Sequence, residues 1–456
     1  MSEAEPQAIA QAGTRAAQST VRGGLLAAAG ILIVAFTLRT AVTSVPPLTG
    51  EISKELFLPS WLVGILGMLP TALFGIAGLV TPLFMRRRSV EAIAVISMAA
   101  AALGQIVRAF APDTVTFLAA SAVALAGMGA GNVVLPPMVK KYFPQKIGLL
   151  TALYVTIISL GTTVPPLLAV PVAGAVGWRG SIGWWAAINV IAILPWLRSW
   201  PARPAAGRGA GDAPSSARGA ARTTAGEATA PASPETAVPI VIRPWRAPAA
   251  WALALMFGCT SLNTYTMFGW LPTIATEAGL SAGDAGLQLA IFSGLGIPLS
   301  LVVPILAGRL RNPFPVVVFG VACFVSGYLG LWLAPASATW LWSTLMGLGP
   351  ATFPLALVLI NLRTRSHRAS GAVSGFAQGV GYTIACAGPL LAGILHDATG
   401  GWTASFAFLG ITLAVLATAG WVICRPHYID DAPGVVEPAV AAQPARFRGD
   451  AAPPVG

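Results

Sequence analysis

The sequence predicts an all-α membrane protein of twelve transmembrane helices, arranged as two pseudo-symmetric six-helix bundles. Three observations carry that prediction. Of 456 residues, 55% are apolar and only 9% charged, against roughly 25% charged in an ordinary soluble domain. Charge that sparse cannot cover the outside of the molecule, so lipid must. The apolar residues also come in segments of about 20, the length that crosses the hydrocarbon as a helix, without the alternation of barrel strands. Finally, landmarks of the first six segments recur in the last six. High apolar content excludes disorder for the body of the chain, and four cysteines are too few for a disulfide scaffold.

Spans one to six lie near 24–48, 61–84, 92–109, 114–138, 148–170 and 180–197; spans seven to twelve lie near 247–272, 285–307, 314–334, 338–361, 370–394 and 402–424. Residues 1–23 are polar and read as a cytosolic tail. Residues 199–246, rich in Ala, Pro, Gly, Ser, Thr and Arg, read as a disordered linker between bundles 24–198 and 247–424. Residues 425–456 form a second tail. With a cytosolic N-terminus, the short inner loops hold Arg86, Arg87, Arg88, Lys140, Lys141, Lys146, Arg309, Arg311, Arg363, Arg365 and Arg368. The outer loops hold Lys54, Arg108 and Arg179. That bias places both termini in the cytosol and makes the net charge of +11 a property of one face, in contact with anionic membrane lipid. Dispersed cations without a stacking platform argue against nucleic acid, and nothing calls for an obligate protein partner.

A shift of 222–224 residues places Gly64 on Gly286, Pro82 on Pro304, Arg87 on Arg309, Gly148 on Gly371 and Trp178 on Trp402. "GWRGS" (177–181) opens span six as "GWTAS" (401–405) opens span twelve. Parallel repeats of this kind form a solute site near the midplane, between halves that rock against each other.

The spans contain no Asp or Glu, and their only basic residues are Arg39 and Arg108. Arg108, at an outer end, reads as an interface anchor that snorkels to water. Arg39 sits near the middle of span one, where an arginine costs about 2.5–3.5 kcal/mol on insertion scales. With no intramembrane carboxylate to pair with it, Arg39 reads as an anion anchor whose counter-ion is the solute. Thr43 and Pro46 share its stripe, and "TAVTSVPP" (40–47) loosens the helix. The remaining candidate wall is Asn132 of span four, Tyr154 of span five, Asn263, Tyr265 and Trp270 of span seven, and Gln378 and Tyr382 of span eleven. Gly371, Gly375 and Gly379 read as a close-packing stripe. Cys259, Cys323, Cys386 and Cys424 read as small buried hydrophobes. No phosphate-binding loop, metal cluster, cofactor motif or nucleophile with a base is present, which excludes an enzyme. Proton coupling would have to come through the solute, since the spans hold no titratable carboxylate or histidine.

Several stretches carry a family resemblance: "LRTAVTSVPPL" (38–48), "GNVVLPPMVKKYFP" (131–144), "GLLTALY" (148–154), "WLPTIATEAGLS" (270–281) and "GYTIACAGPLLAGILHDATGGW" (381–402). Spread over both halves, they resemble the major facilitator superfamily and, within it, the cyanate/2-nitroimidazole permease family. The resemblance implies the major facilitator fold and a bacterial inner-membrane secondary carrier of small anionic or heterocyclic solutes. It also implies that the arginine of "LR", Arg39, touches the substrate. Two departures stand out. Thr37 replaces an asparagine common two residues before that arginine, and "MRRRSVE" (85–91) lacks the superfamily's Asp between spans two and three. An efflux carrier for neutral or cationic compounds is the alternative. A non-transporting receptor would need a folded domain that 199–246 is too short and polar to supply.

Overall fold

The computed structural model describes residues 24–85, 87–199, 240–365 and 367–438; the N-terminal tail, Arg86, most of the expected linker and residues 439–456 lie outside the described residues. Among these, ten helices are long and apolar enough to cross a membrane. One of them, Leu149–Leu197, contains spans five and six, which part at Gly177, where φ is +74°. The twelfth span is Pro248–Glu277, span seven. It is 30 residues long, and its buried Thr260, Ser261, Asn263 and Thr266 make it too polar to join the ten. Three helix starts are set by side-chain caps: Ser89 accepts from the Ala92 N–H at 3.2 Å, Asp113 from Thr116 at 2.8 Å, and Ser281 from Asp284 at 3.1 Å. Glu91 falls inside the first turn of span three, fully buried, where Lys141 and the Tyr142 hydroxyl donate to it. The spans are therefore not free of carboxylates, as the sequence reading had them.

In lipid, apolar burial does not draw helices together; close backbone approach and polar contacts do. A Cβ on Gly127 of span four would lie 2.5 Å from the Ser97 carbonyl of span three, and one on Gly104 of span three 2.7 Å from the Ala120 carbonyl. The repeat is visible in matched contacts. Ser181 donates to the Ala169 carbonyl at 2.7 Å, and Ser405 to that of Ala392 at 2.8 Å. The serines are 405 − 181 = 224 apart and the acceptors 392 − 169 = 223.

The same relation builds the contact between the bundles. Gly64 of span two faces the carbonyl of Pro389 in span eleven, and Gly286 of span eight faces that of Pro166 in span five. These offsets are 286 − 64 = 222 and 389 − 166 = 223. Both contacts lie in the half of the molecule away from the arginine-rich loops, here called the distal half. Toward the basic end the bundles separate. Gly371, Gly375 and Gly379 share a helical face with Cys386 and Pro389, yet a Cβ at any of the three, or at Gly78 of span two, would meet nothing within 4 Å. The expected packing stripe is thus unpacked in this conformation, because it lines the open half of the interface.

Ordered structure also extends beyond the expected bundle edges. Strand β1 (Ile240–Ile242) pairs antiparallel with β2 (Val436–Pro438), so the linker's end and the start of the second tail are folded. Arg363 donates to the carbonyls of Ile423 and Cys424, and Arg365 bridges to Asp431 through two bonds of 3.0 Å. Polar sequence at a helix end found backbone and charge partners there instead of solvent.

Candidate substrate-binding site

Span one is helical over 24–37, turns at Leu38 and Arg39, and resumes as Thr40–Thr43, a 3-10 turn Pro46–Leu48 and Thr49–Glu55. Pro46 and Pro47 cannot donate, which ends the Thr40–Thr43 turn, and the hydroxyls of Thr40 and Thr43 bind the Thr37 and Arg39 carbonyls beside the turn at Leu38 and Arg39. Arg39 therefore sits at a helix interruption. Its side chain is half-buried, the guanidinium carbon is 4.5 Å from the centre of the Phe74 ring of span two, and Nη1 is buried without a hydrogen-bond partner. Among the described residues no carboxylate pairs with it.

From the other bundle, Tyr265 and Tyr382 approach the same region. Each interacts electrostatically with its neighbours there: Tyr382 with both Tyr265 and Arg39. Tyr265 packs edge-on to Phe268 at 5.6 Å and Tyr382 edge-on to Phe257 at 5.1 Å. Both also pack against the N-terminal bundle's core around Leu38 and Phe74. Gly131 lies against Leu38 and Met98, which carries the half-buried Asn132 to the level of Arg39. Tyr154 and Gln378 are half-buried nearer the basic end, with Gln378 donating to Ser374 at 2.8 Å. Arg39, Tyr265 and Tyr382 thus meet, with Asn132 next to Gly131 at that level and Tyr154 and Gln378 nearer the basic end.

Three expected members of the wall are elsewhere. Asn263 is fully buried inside the C-terminal bundle, donating to the Cys259 carbonyl and Thr412 and accepting from Tyr328. Trp270 donates to the Pro389 carbonyl at 2.8 Å and packs tilted against Trp402 at 5.3 Å, bracing the distal contact. Thr43 is fully buried with its hydroxyl turned to Arg39's carbonyl. A polar residue in a span most often meets a neighbouring helix, and helical phase alone did not separate that face from the vestibule.

Arg108 is a further correction: it is 1% exposed and does not reach water. The carbonyls at that outer end, Ala109 and Ala111, are held by Arg179, which also pairs with Glu55 at 3.0 Å. Arg108 turns inward instead and donates to the Ala41 carbonyl at 3.3 Å. The sequence reading missed Phe74 and Phe268 altogether, since an aromatic residue in an apolar span carries no positional signal of its own.

A family model described as Major Facilitator Superfamily matches residues 27–387. The chain is 29% identical over 398 residues to the 2-nitroimidazole transporter of Escherichia coli (strain K12), covering 87% of this chain and 94% of that one. It is 24% identical over 383 residues to the cyanate transport protein CynX of the same organism, covering 83% and 92%. A transporter of Bacillus subtilis (strain 168), YycB, is 27% identical over 405 residues, covering 88% and 94%. The fold is that of a bacterial homologue of the lysosomal transporter Spinster, solved in an inward-facing, occupied conformation: TM-score 0.70, 12% identity, 88% of this chain and 96% of that one. Two six-helix bundles, a matched pair of interbundle contacts and a family model spanning both halves converge on one conclusion: the chain belongs to the Major Facilitator Superfamily and is a transporter, not an enzyme.

Proposed function

We propose that this transporter is a secondary carrier of a small anionic or heterocyclic solute, moved by alternating access with Arg39 as its anchor. The observation that carries the proposal is a permanent cation at a break in span one, with a buried and unpartnered Nη1 and no carboxylate mate among the described residues. A guanidinium stripped of water without a counter-charge is costly, and a bound anion would supply the missing charge. The rings of Phe74, Tyr265 and Tyr382 suit a flat solute beside that charge. The names of the relatives, a 2-nitroimidazole transporter and a cyanate transport protein, support the same solute class. With the basic loops in the cytosol of a bacterial inner membrane, both termini are cytosolic and the open half faces inward.

Uptake of labelled cyanate, benzoate and 2-nitroimidazole into proteoliposomes tests this. Arg39→Ala should reduce anion uptake about 10- to 150-fold, the worth of one hydrogen bond to a charged group. Arg39→Lys should retain part of it, since it keeps charge but not the planar fork. Wild-type anion uptake by Arg39→Ala would overturn the proposal and favour the efflux of neutral or cationic compounds.

A further inference from the structure

A second guanidinium is buried more deeply than the first. Arg108 is 1% exposed, and of its three nitrogens only Nη1 has a partner, the Ala41 carbonyl; Nε and Nη2 are buried and unsatisfied. Ala41 is two residues beyond Arg39 on the broken segment of span one, so both cations are tied to one interruption. Other unsatisfied polar atoms cluster around the contact: both amide atoms of Gln105, one turn before Arg108, and the hydroxyl of Ser44, one turn past Ala41. A fully buried cation with idle donors is expensive unless something else binds them.

What could bind them is shown by the space in front. Arg108 lines a cavity in the distal half with Pro46, Gly67, Ser121, Tyr265 and Phe268, drawn from both bundles. Its volume is about 30 Å³, room for one or two waters and too little for an aromatic acid. Gly67 of its wall lies one turn past Gly64, whose contact with Pro389 helps to close the distal half. Parting that contact would enlarge it and present Arg108 to the distal side.

We infer that Arg108 is a second anion-binding station, closed in this conformation and opened when the distal half parts. A small monovalent anion or a carboxylate head group would rest there before reaching Arg39, or after leaving it. The inference shares the anion class with the function proposed above, and Tyr265 borders both places, but it rests on a different guanidinium, so the two can fail separately.

The thiol introduced by Ser121→Cys, in purified protein reconstituted in nanodiscs, reports on the cavity through its alkylation rate with and without sodium thiocyanate or sodium benzoate. Both anions should slow alkylation, and should still do so in Arg39→Gln. In Arg108→Gln the concentration giving half protection should rise about tenfold or more, the loss of one charge-assisted bond. If Arg108→Gln does not yield monodisperse protein, Arg108→Lys decides instead: lost fork geometry should weaken protection while folding is kept. Protection unchanged in the Arg108 variants, protection abolished by Arg39→Gln, or a thiol that no anion protects would each overturn the inference. Loss of uptake in Arg39→Ala, measured separately, bears on the transport proposal alone.

Discussion

The contacts of Gly64 with Pro389 and of Gly286 with Pro166 should set the balance between the two faces of the carrier. A methyl added at Gly286 would lie 2.6 Å from the Pro166 carbonyl oxygen, and one at Gly64 2.9 Å from that of Pro389. Ordinary contact begins near 3.4 Å, so the backbones would have to part by 0.8 Å and 0.5 Å. A main-chain carbonyl inside a helix cannot swing aside as a side chain can. Overpacking of this kind costs about 1–3 kcal/mol per site, and only the distal-closed state bears it. The closed-to-open ratio should therefore fall about 5- to 150-fold for either Gly→Ala change, and by the product of the two for the double variant. Gly78→Ala is the control, because a Cβ there meets nothing within 4 Å. Spin labels on the exposed Phe57 and Ala336, one in each bundle near the distal end, give the readout. Both glycine variants should add a longer-distance population that the control lacks. If Gly286→Ala and Gly64→Ala keep the wild-type distance distribution, the assignment of these contacts as the distal gate is wrong.

Other perturbations separate structure from solute binding. Asn263→Leu strands the Tyr328 hydroxyl and should lower stability by about 1–3 kcal/mol, seen as a lower Tm, with solute affinity unchanged. Gly375→Leu places a bulky group in the open half of the interface and should slow transport while leaving equilibrium binding of labelled solute intact; normal transport would mean that this half never closes. The Arg365–Asp431 bridge is a third case. The hydrogen bonds from Arg365 hold the Asp431 carboxyl below its ordinary value, so its contribution is present above the unfolded pKa and lost as pH falls through the lower folded one. The Tm difference between wild type and Asp431→Asn should accordingly be flat from about pH 5 to 8, above the carboxylate reference value of about 4, and disappear in stronger acid.

Much of the fold was legible because lipid leaves so few options: spans, their number and their repeat follow from segment length and recurring Gly, Pro and Trp. The repeat even named Gly64 and Gly286, although not their proline partners, because a contact between halves has no local signal. The site was less legible. Arg39 was found because an isolated charge is conspicuous in an apolar run. Asn263 and Trp270 were misplaced because a neutral polar side chain reads alike whether it faces a neighbour or a vestibule. Arg108 was misread for a related reason: depth along the helix suggested access to water, but Arg179 had already taken the carbonyls at that end.

Charge also bears on coupling. Among the described residues of the N-terminal spans the one buried carboxylate, Glu91, is spent on Lys141 and Tyr142 at the basic end, and neither it nor any other described carboxylate pairs with Arg39. On the anion-carrier reading, closing the basic half over an empty site would strip water from an unpaired guanidinium, a penalty of several kcal/mol. Closing over a bound anion buries a neutral pair, whose mutual attraction offsets much of that cost. The loaded carrier would then reorient more readily than the empty one, without any titrating protein group. On that reading exchange of solute across the membrane would be favoured over net movement, and the solute's own charge would take the place that a buried carboxylate holds in proton-driven carriers.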